Sequence, residues 1–168
     1  PTDGAIVFDA DVDQGNATET QAAYEVSKNG VTMVVSSGRL GTFINEVHYR
    51  IYKNQTLTLT STVGNIVKVE FTTTASDDAE WGPAGWTVTD GSYNYSGNIG
   101  TWTGDADSVI FTATQFQVRA TQIVVTLASA TAVEDVTVGA TPVKVIENGQ
   151  VLIIRGENIY NVLGGQVK

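Results

Sequence analysis

Three carboxylates at alternate positions, in the string Asp9-Ala10-Asp11-Val12-Asp13-Gln14-Gly15, form the stretch of this chain closest to a metal site. Calcium takes six to eight oxygen ligands, and loops that alternate acids with other residues can supply them. The spacing breaks the calcium-loop pattern, because Gln14 stands where the sixth-position glycine is needed. The twelfth position is Thr20, with Glu19 one residue early. On a strand, Asp9, Asp11 and Asp13 would line one face and simply wet it, and the broken pattern favours that reading. Calcium is the one cofactor the sequence leaves open.

Catalytic groups are scarce. His48 is the only histidine and there is no cysteine, so thiol catalysis, disulfides and multi-histidine metal sites are all out of reach. A serine triad needs a histidine base beside an exposed nucleophile, and no Gly-x-Ser-x-Gly elbow occurs. In VHYRIY, Val47, Tyr49 and Ile51 alternate with His48, Arg50 and Tyr52, which places His48 on the more polar face of a strand. Acids at Asp77, Asp78 and Glu80, and at Asp105 and Asp107, would serve a glycosidase only if held about 5–10 Å apart across a sugar. Nothing in the sequence pairs them, so no enzymatic activity is expected.

Binding is a better prospect than catalysis. Trp81, Tyr93, Tyr95 and Trp102 fall close together in sequence, and flat rings with polar tips can stack on the apolar face of a sugar. The competing use is core packing, which the alternation of Trp86 with Val88 predicts for that tryptophan. Trp81, beside Gly82-Pro83, is the best exposed candidate. Asp107-Ser108-Val109 resembles the short acceptor motif for O-glycosylation in Bacteroidetes, with Ser108 as the acceptor.

Composition narrows the class. The chain has 168 residues, enough for one substantial core plus a small appendage. Its formal charge is −9, which argues against nucleic acid, whose binding needs Lys and Arg to neutralise phosphate. No apolar run reaches the roughly 18–20 residues of a membrane span, so no membrane insertion is expected. The chain begins at Pro1 rather than methionine, which fits removal of a leader or a trimmed start.

These residues must be positioned by strands. Leu57 and Leu59 alternate with Thr56, Thr58 and Thr60; Val67, Val69 and Phe71 alternate with Ile66, Lys68 and Glu70; Ile123, Val125 and Leu127 alternate with polar neighbours. Period-two patterning with one apolar face is the mark of antiparallel sheets covered on one side. Asn29-Gly30, Asp90-Gly91 and Asn148-Gly149 read as two-residue hairpin turns, while Gly64-Asn65 and Gly104-Asp105 read as further breaks. The pattern predicts an all-β protein: an antiparallel, jelly-roll-like β-sandwich over residues 1–127 and a short β-meander over residues 143–168. Between them, residues 128–142 are Ala- and Thr-rich and read as a linker, with a strand led by Val133, Val136 and Val138 as the alternative.

The terminal meander carries a resemblance. The hairpin VKVIENGQVLIIR with Asn148-Gly149 at its turn, then Tyr160, Asn161, Leu163 and Gly164, and a closing Lys168, resembles the C-terminal sorting signal of type IX secretion substrates of Bacteroidetes. The doubled glycine in LGGQVK and the short length depart from that pattern. Residues 47–127, most distinctively GTWTG, SVIFTA and QVRATQIVVT, look like a β-sandwich repeat of Bacteroidales surface proteins, a family defined by sequence and location rather than activity. The two resemblances imply an outer-membrane exterior or secreted location, and they carry over no catalytic residue. The expected function is that of a non-enzymatic structural or adhesive protein whose partners are itself or other surface proteins. Ala5, Ile6, Val7 and Phe8 form a candidate exchange strand. The other expectation is a carbohydrate-binding module that uses the exposed aromatics, with calcium at the Asp string.

Overall fold

The computed structural model describes residues 5–18, 21–43, 46–128, 143–147, 149–155 and 158–167. The chain divides into two compact units, Pro1–Ala130 and Thr131–Lys168. Apart from one short 3-10 turn at Pro83–Gly85, the regular structure described is all strand.

The first unit holds β1 (Ala5–Asp9), β2 (Glu25–Lys28), β3 (Val31–Val35), β4 (Gly38–Phe43), β5 (Glu46–Ile51) and β6 (Thr56–Ser61). Then follow β7 (Ile66–Thr73), β8 (Trp86–Val88), β9 (Ser92–Ser96), β10 (Ile99–Ala106), β11 (Ser108–Ala113) and β12 (Val118–Leu127). One sheet runs β4-β5-β12-β7-β10-β9 with β1 also on β12; the other runs β2-β3-β6-β11-β8. All pairings between these strands are antiparallel, and the two sheets bury their facing sides as a sandwich. The second unit is the meander β13 (Val143–Glu147), β14 (Gln150–Arg155) and β15 (Asn158–Asn161).

Alternation dictates which side chains enter the core. Leu57, Leu59, Val109 and Phe111 from one sheet meet Val69, Phe71, Ile123 and Val125 from the other, all buried. The aromatic centre is Phe111, whose ring lies 4.8 Å from Phe71, 5.7 Å from Trp86, 6.3 Å from Trp102 and 6.4 Å from Tyr93. Each of these four pairs is edge-on, the arrangement that aromatic quadrupoles prefer. Trp86 takes the core position expected of it, although its indole N–H is buried there without a hydrogen-bond partner.

Strict alternation mispredicts one residue here. Ile66, assigned by pattern to the polar face, is fully buried, while Val67 is only half-covered. The ladder pairs Lys68 with Thr126 and Ile66 with Leu127, leaving Val67 as an extra residue, and such a bulge flips the face of everything before it. A second bulge at Thr121 separates the stretch of β12 that pairs with β5 from the stretch that pairs with β1.

The turns divide into two kinds. Asn29-Gly30 is a hairpin turn, with φ of 49° and 80°, as a primed two-residue loop requires. Asp90-Gly91 joins β8 and β9, which belong to different sheets, so it is a crossover rather than a hairpin. The cause is tertiary: Trp102 Nε1 donates to the Asp90 carbonyl (2.7 Å), and Gly91 sits where a Cβ would strike the indole ring. Gly64-Asn65 is likewise a crossover between sheets. Gly104-Asp105 lies within β10, in a register shift, and the break falls at Asp107.

Candidate functional site

Three places in the first unit bring together groups that can act on something else: the β1 edge, the aromatic end and an arginine row. At the edge, β12 carries two partners end to end on one side, β5 against Val118–Ala120 and β1 against Gln122–Thr126. Among the described residues, β12 is the strand that β1 pairs with. Ile6 and Phe8 point into the core, with Phe8 fully buried. The amide of Ala10 donates to Thr121 O (2.9 Å), so by ladder parity the backbone of Val7 faces the open side.

That open side is latched. Lys28, at the end of β2, donates to the Val7 carbonyl (2.8 Å) and pairs with Asp13 (2.9 Å). Asp13 also accepts from the Asp9 amide (2.9 Å). Burial opposes ionisation of Asp13, but the Lys28 bond, the Asp9 amide and the Lys28 charge together hold its carboxyl below the usual range. Of the three acids in the string, Asp13 thus already faces a cation, and Asp9 accepts from the Asp11 amide (3.0 Å) in a local Asx turn. Among the described residues, no group of three or more His, Asp or Glu is arranged to hold a metal ion. Glu19 and Thr20 lie outside the described residues. Asp9 and Asp11 instead line a shallow hollow of about 380 Å³ with Val47, Thr72, Thr121 and Gln122, at the point where β1 and β5 part.

The four aromatics do not form one exposed platform. Trp102 is 1 % exposed, so its place on such a surface is corrected: its alternation in β10 and its bond to Asp90 turn the ring inward. Tyr93 is half-buried against Phe111 and donates to Pro83 O (2.8 Å), and burial pushes its phenol above the usual range. Tyr95 is 48 % exposed beside a shallow hollow of about 200 Å³ lined by Asn94, Ser96, Ile99 and Thr101. Trp81 is half-buried, with the guanidinium of Arg119 stacked 3.8 Å from its ring centroid. Ser108 opens β11 with an exposed hydroxyl, opposite Thr60.

Sequence reasoning missed the third place. Arg39 of β4, Arg50 of β5 and Arg119 of β12 stand in direct register across three neighbouring strands. They alternate with core residues Leu40, Tyr49, Ile51, Val118 and Ala120, so they share the outer face. Glu46 is ion-paired with Arg50 and lies 3.6 Å from Arg39 Nη2. His48 sits between them on β5, with Arg50 Nε donating to its Nε2 (3.3 Å), a bond that requires that nitrogen to be unprotonated. Gln117, with its amide oxygen turned toward them, accepts from Nε of both Arg50 and Arg119 (3.0 Å each). His48 lies on the outer face as expected but is only 9 % exposed. Its burial, then the charges of Arg50, Arg119 and Arg39, lower its pKa to about 4 against the pull of Glu46. The available signal was compositional: three of the four arginines in an acidic chain meet here. Their meeting depends on a pairing between β5 and β12 that no local pattern reveals.

In the second unit, Asn161 organises the turn that follows β15. Its side-chain oxygen accepts from the amides of Leu163 (3.0 Å) and Gly165 (2.8 Å), and Gly164 adopts φ 81° between them. Gly149 has φ 78° at the β13–β14 turn, Tyr160 pairs with Ile153 and Leu163 is 92 % exposed. Asn148 and Lys168 lie outside the described residues, as does nearly all of the segment 128–142. Compared with known protein families, curated proteins and solved structures, this chain matches none.

Proposed function

We propose that this is a non-enzymatic structural or adhesive protein of the cell exterior, acting through protein contacts made by addition or exchange of strands. The observation that supports it most is β1, a five-residue strand that, among the described residues, pairs with a single neighbouring strand and places Ile6 and Phe8 in the core. A segment held by one ladder and one lysine latch can be exchanged for the same segment of a second copy with no net change in contacts. Repeated head-to-tail exchange that does not close would give a filament. The resemblance of residues 143–168 to type IX sorting signals supports delivery beyond the outer membrane. Deleting those residues is expected to leave the protein in the periplasm, and unchanged surface delivery would sink that part.

The exchange itself is tested by a double substitution, Val7→Cys with Val124→Cys. The two residues are directly paired, in a non-hydrogen-bonded position where Cα atoms lie about 4.5 Å apart, within disulfide range. No native cysteine competes. Oxidised as a dilute monomer, the variant should lock β1 in place and stay monomeric when concentrated. Oxidised after concentration, it should give a ladder of covalent multimers on denaturing gels. A strictly monomeric protein by light scattering, or assemblies that cross-link only within each chain, would overturn strand exchange.

A further inference from the structure

Strand β1 is gripped along both edges. On one side β12 supplies the ladder, with Ile6 against Val125 and Phe8 against Ile123. On the other side Lys28 Nζ donates to the Val7 carbonyl (2.8 Å), and the Asp13 carboxylate accepts from the Asp9 amide (2.9 Å). A carbonyl and an amide two residues on are what an extended strand presents along one edge. Lys28 and Asp13 therefore stand where the donor and acceptor of a neighbouring strand would stand. The Asp9 carbonyl is taken as well, by the amides of Val12 (3.0 Å) and Asp13 (2.7 Å). A further strand cannot add over Val7 and Asp9 without displacing these groups, and a lysine on the edge is one of the ways a sheet blocks such addition. Both gripping residues belong to the body rather than to β1. Lys28 ends β2, and the Asp13 carbonyl accepts from the hydroxyl of Tyr49 (2.7 Å), a fully buried residue of β5.

We propose that Lys28 and Asp13, facing β12 across β1, form a receptor for an extended strand of the pattern Ile-x-Phe, and that the partner it takes is the Ala5–Asp9 segment of a second copy. This rests on the strand-exchange reading above and names the residues that receive the exchanged strand. Main-chain bonds from both edges give the affinity, and the core positions of Ile6 and Phe8, two residues apart, give the specificity. The Lys28–Asp13 ion pair (2.9 Å) stays behind when β1 leaves, because Tyr49 ties Asp13 to the body. The crossing between copies then falls between Asp9 and Asp13. An identical segment restores every one of these contacts in the acceptor, so the receptor selects its own sequence without changing the balance between closed and exchanged forms.

The test is rescue of a full chain whose own β1 fits poorly. Phe8→Ala weakens the resident strand, and a synthetic peptide of residues 1–10 with the native sequence is then added while the melting temperature is followed. The peptide should raise that temperature saturably, as a ligand of the native state does. The same peptide with alanine at position 8 should not. Adding Lys28→Met or Asp13→Ala to the chain should raise the half-saturating peptide concentration about tenfold or more, since each removes a charge-assisted bond to the strand. Ile6→Ala carries the test if Phe8→Ala does not fold. No saturable rescue of either variant, or a half-saturating concentration unmoved by both receptor substitutions, would overturn the proposal. Rescue that follows this pattern while the wild-type chain stays monomeric at high concentration would support the receptor and overturn the filament reading alone.

Discussion

Replacing Phe111 by alanine is expected to cost about 3–5 kcal/mol, the range for removing a large aromatic from a packed core. The ring is fully buried and stands at the centre of the aromatic cluster. It projects from β11 of one sheet onto Phe71 and Trp102 of the other, so its loss opens a cavity between the layers. Neither sheet can close that gap without shifting against the other, so little relaxation is expected. Domains of this size are stable by about 5–15 kcal/mol, so one substitution removes a large share. Equilibrium urea unfolding gives the value directly. Ile110→Ala, one residue away but facing solvent, serves as the control and should stay within about 0.5 kcal/mol. A Phe111→Ala variant that loses less than about 1 kcal/mol would show that Phe111 does not hold the two sheets together.

Stability is expected to fall by about 2 kcal/mol between pH 7 and pH 5, and the drop belongs to His48. Its pKa is about 4 in the folded protein, against about 6.5 for an unperturbed histidine. The unfolded chain therefore takes up a proton before the native one does. Stability is complete above about pH 6.5, declines as the pH falls toward 4, and declines no further on this account below that. Asp13 and Glu46 have lowered values and also contribute stability that is lost in acid, but their loss begins only below about pH 4.5, under the window used. No other histidine is present to confuse the assignment. Denaturant midpoints measured at pH 7, 6 and 5 should show the slope in the wild type and a flat line in His48→Gln. An equal slope in both would mean that His48 is not held neutral by its burial and the neighbouring arginines.

How far each part of this was legible in the sequence follows from the range of the forces involved. The strand faces of Thr56–Ser61 and Ser108–Ala113 could be read, because alternation along a strand is a local geometric fact and each buried side chain records it. The Asn29-Gly30 hairpin could be read because positive φ at two successive residues is a local demand. Asp90-Gly91 carries the same kind of turn signal but makes a crossover, since Trp102, twelve residues on, captures the Asp90 carbonyl. Ile66 was misread for a related reason: the bulge at Val67 arises from the neighbouring strands and leaves no mark in the sequence. The doubled glycine near the end has its reason in the fold, where Gly164 at positive φ and the Gly165 amide close the turn around Asn161.

The candidate sites divide along the same line. Composition alone excluded thiol chemistry and a multi-histidine site, since those residues are absent wherever the chain folds. Tryptophan exposure could be read only in part: the Gly82-Pro83 loop pointed to Trp81, which carries a guanidinium on its ring, but nothing local showed that Trp102, grouped with it, is sealed in the core. The Asp string was visible from the start, but the lysine that engages Asp13 comes from a strand fifteen residues later. The arginine row is the extreme case, because Arg50 and Arg119 are brought into register only by the pairing of β5 with β12. By itself the sequence determined an all-β protein with an apolar face on most strands, because backbone geometry enforces period two wherever a strand runs without a bulge. Which strands became neighbours, and hence which charges meet on the outer face, was decided only by the tertiary structure, because strand pairing is set by the joint packing of both sheets and not by any segment alone.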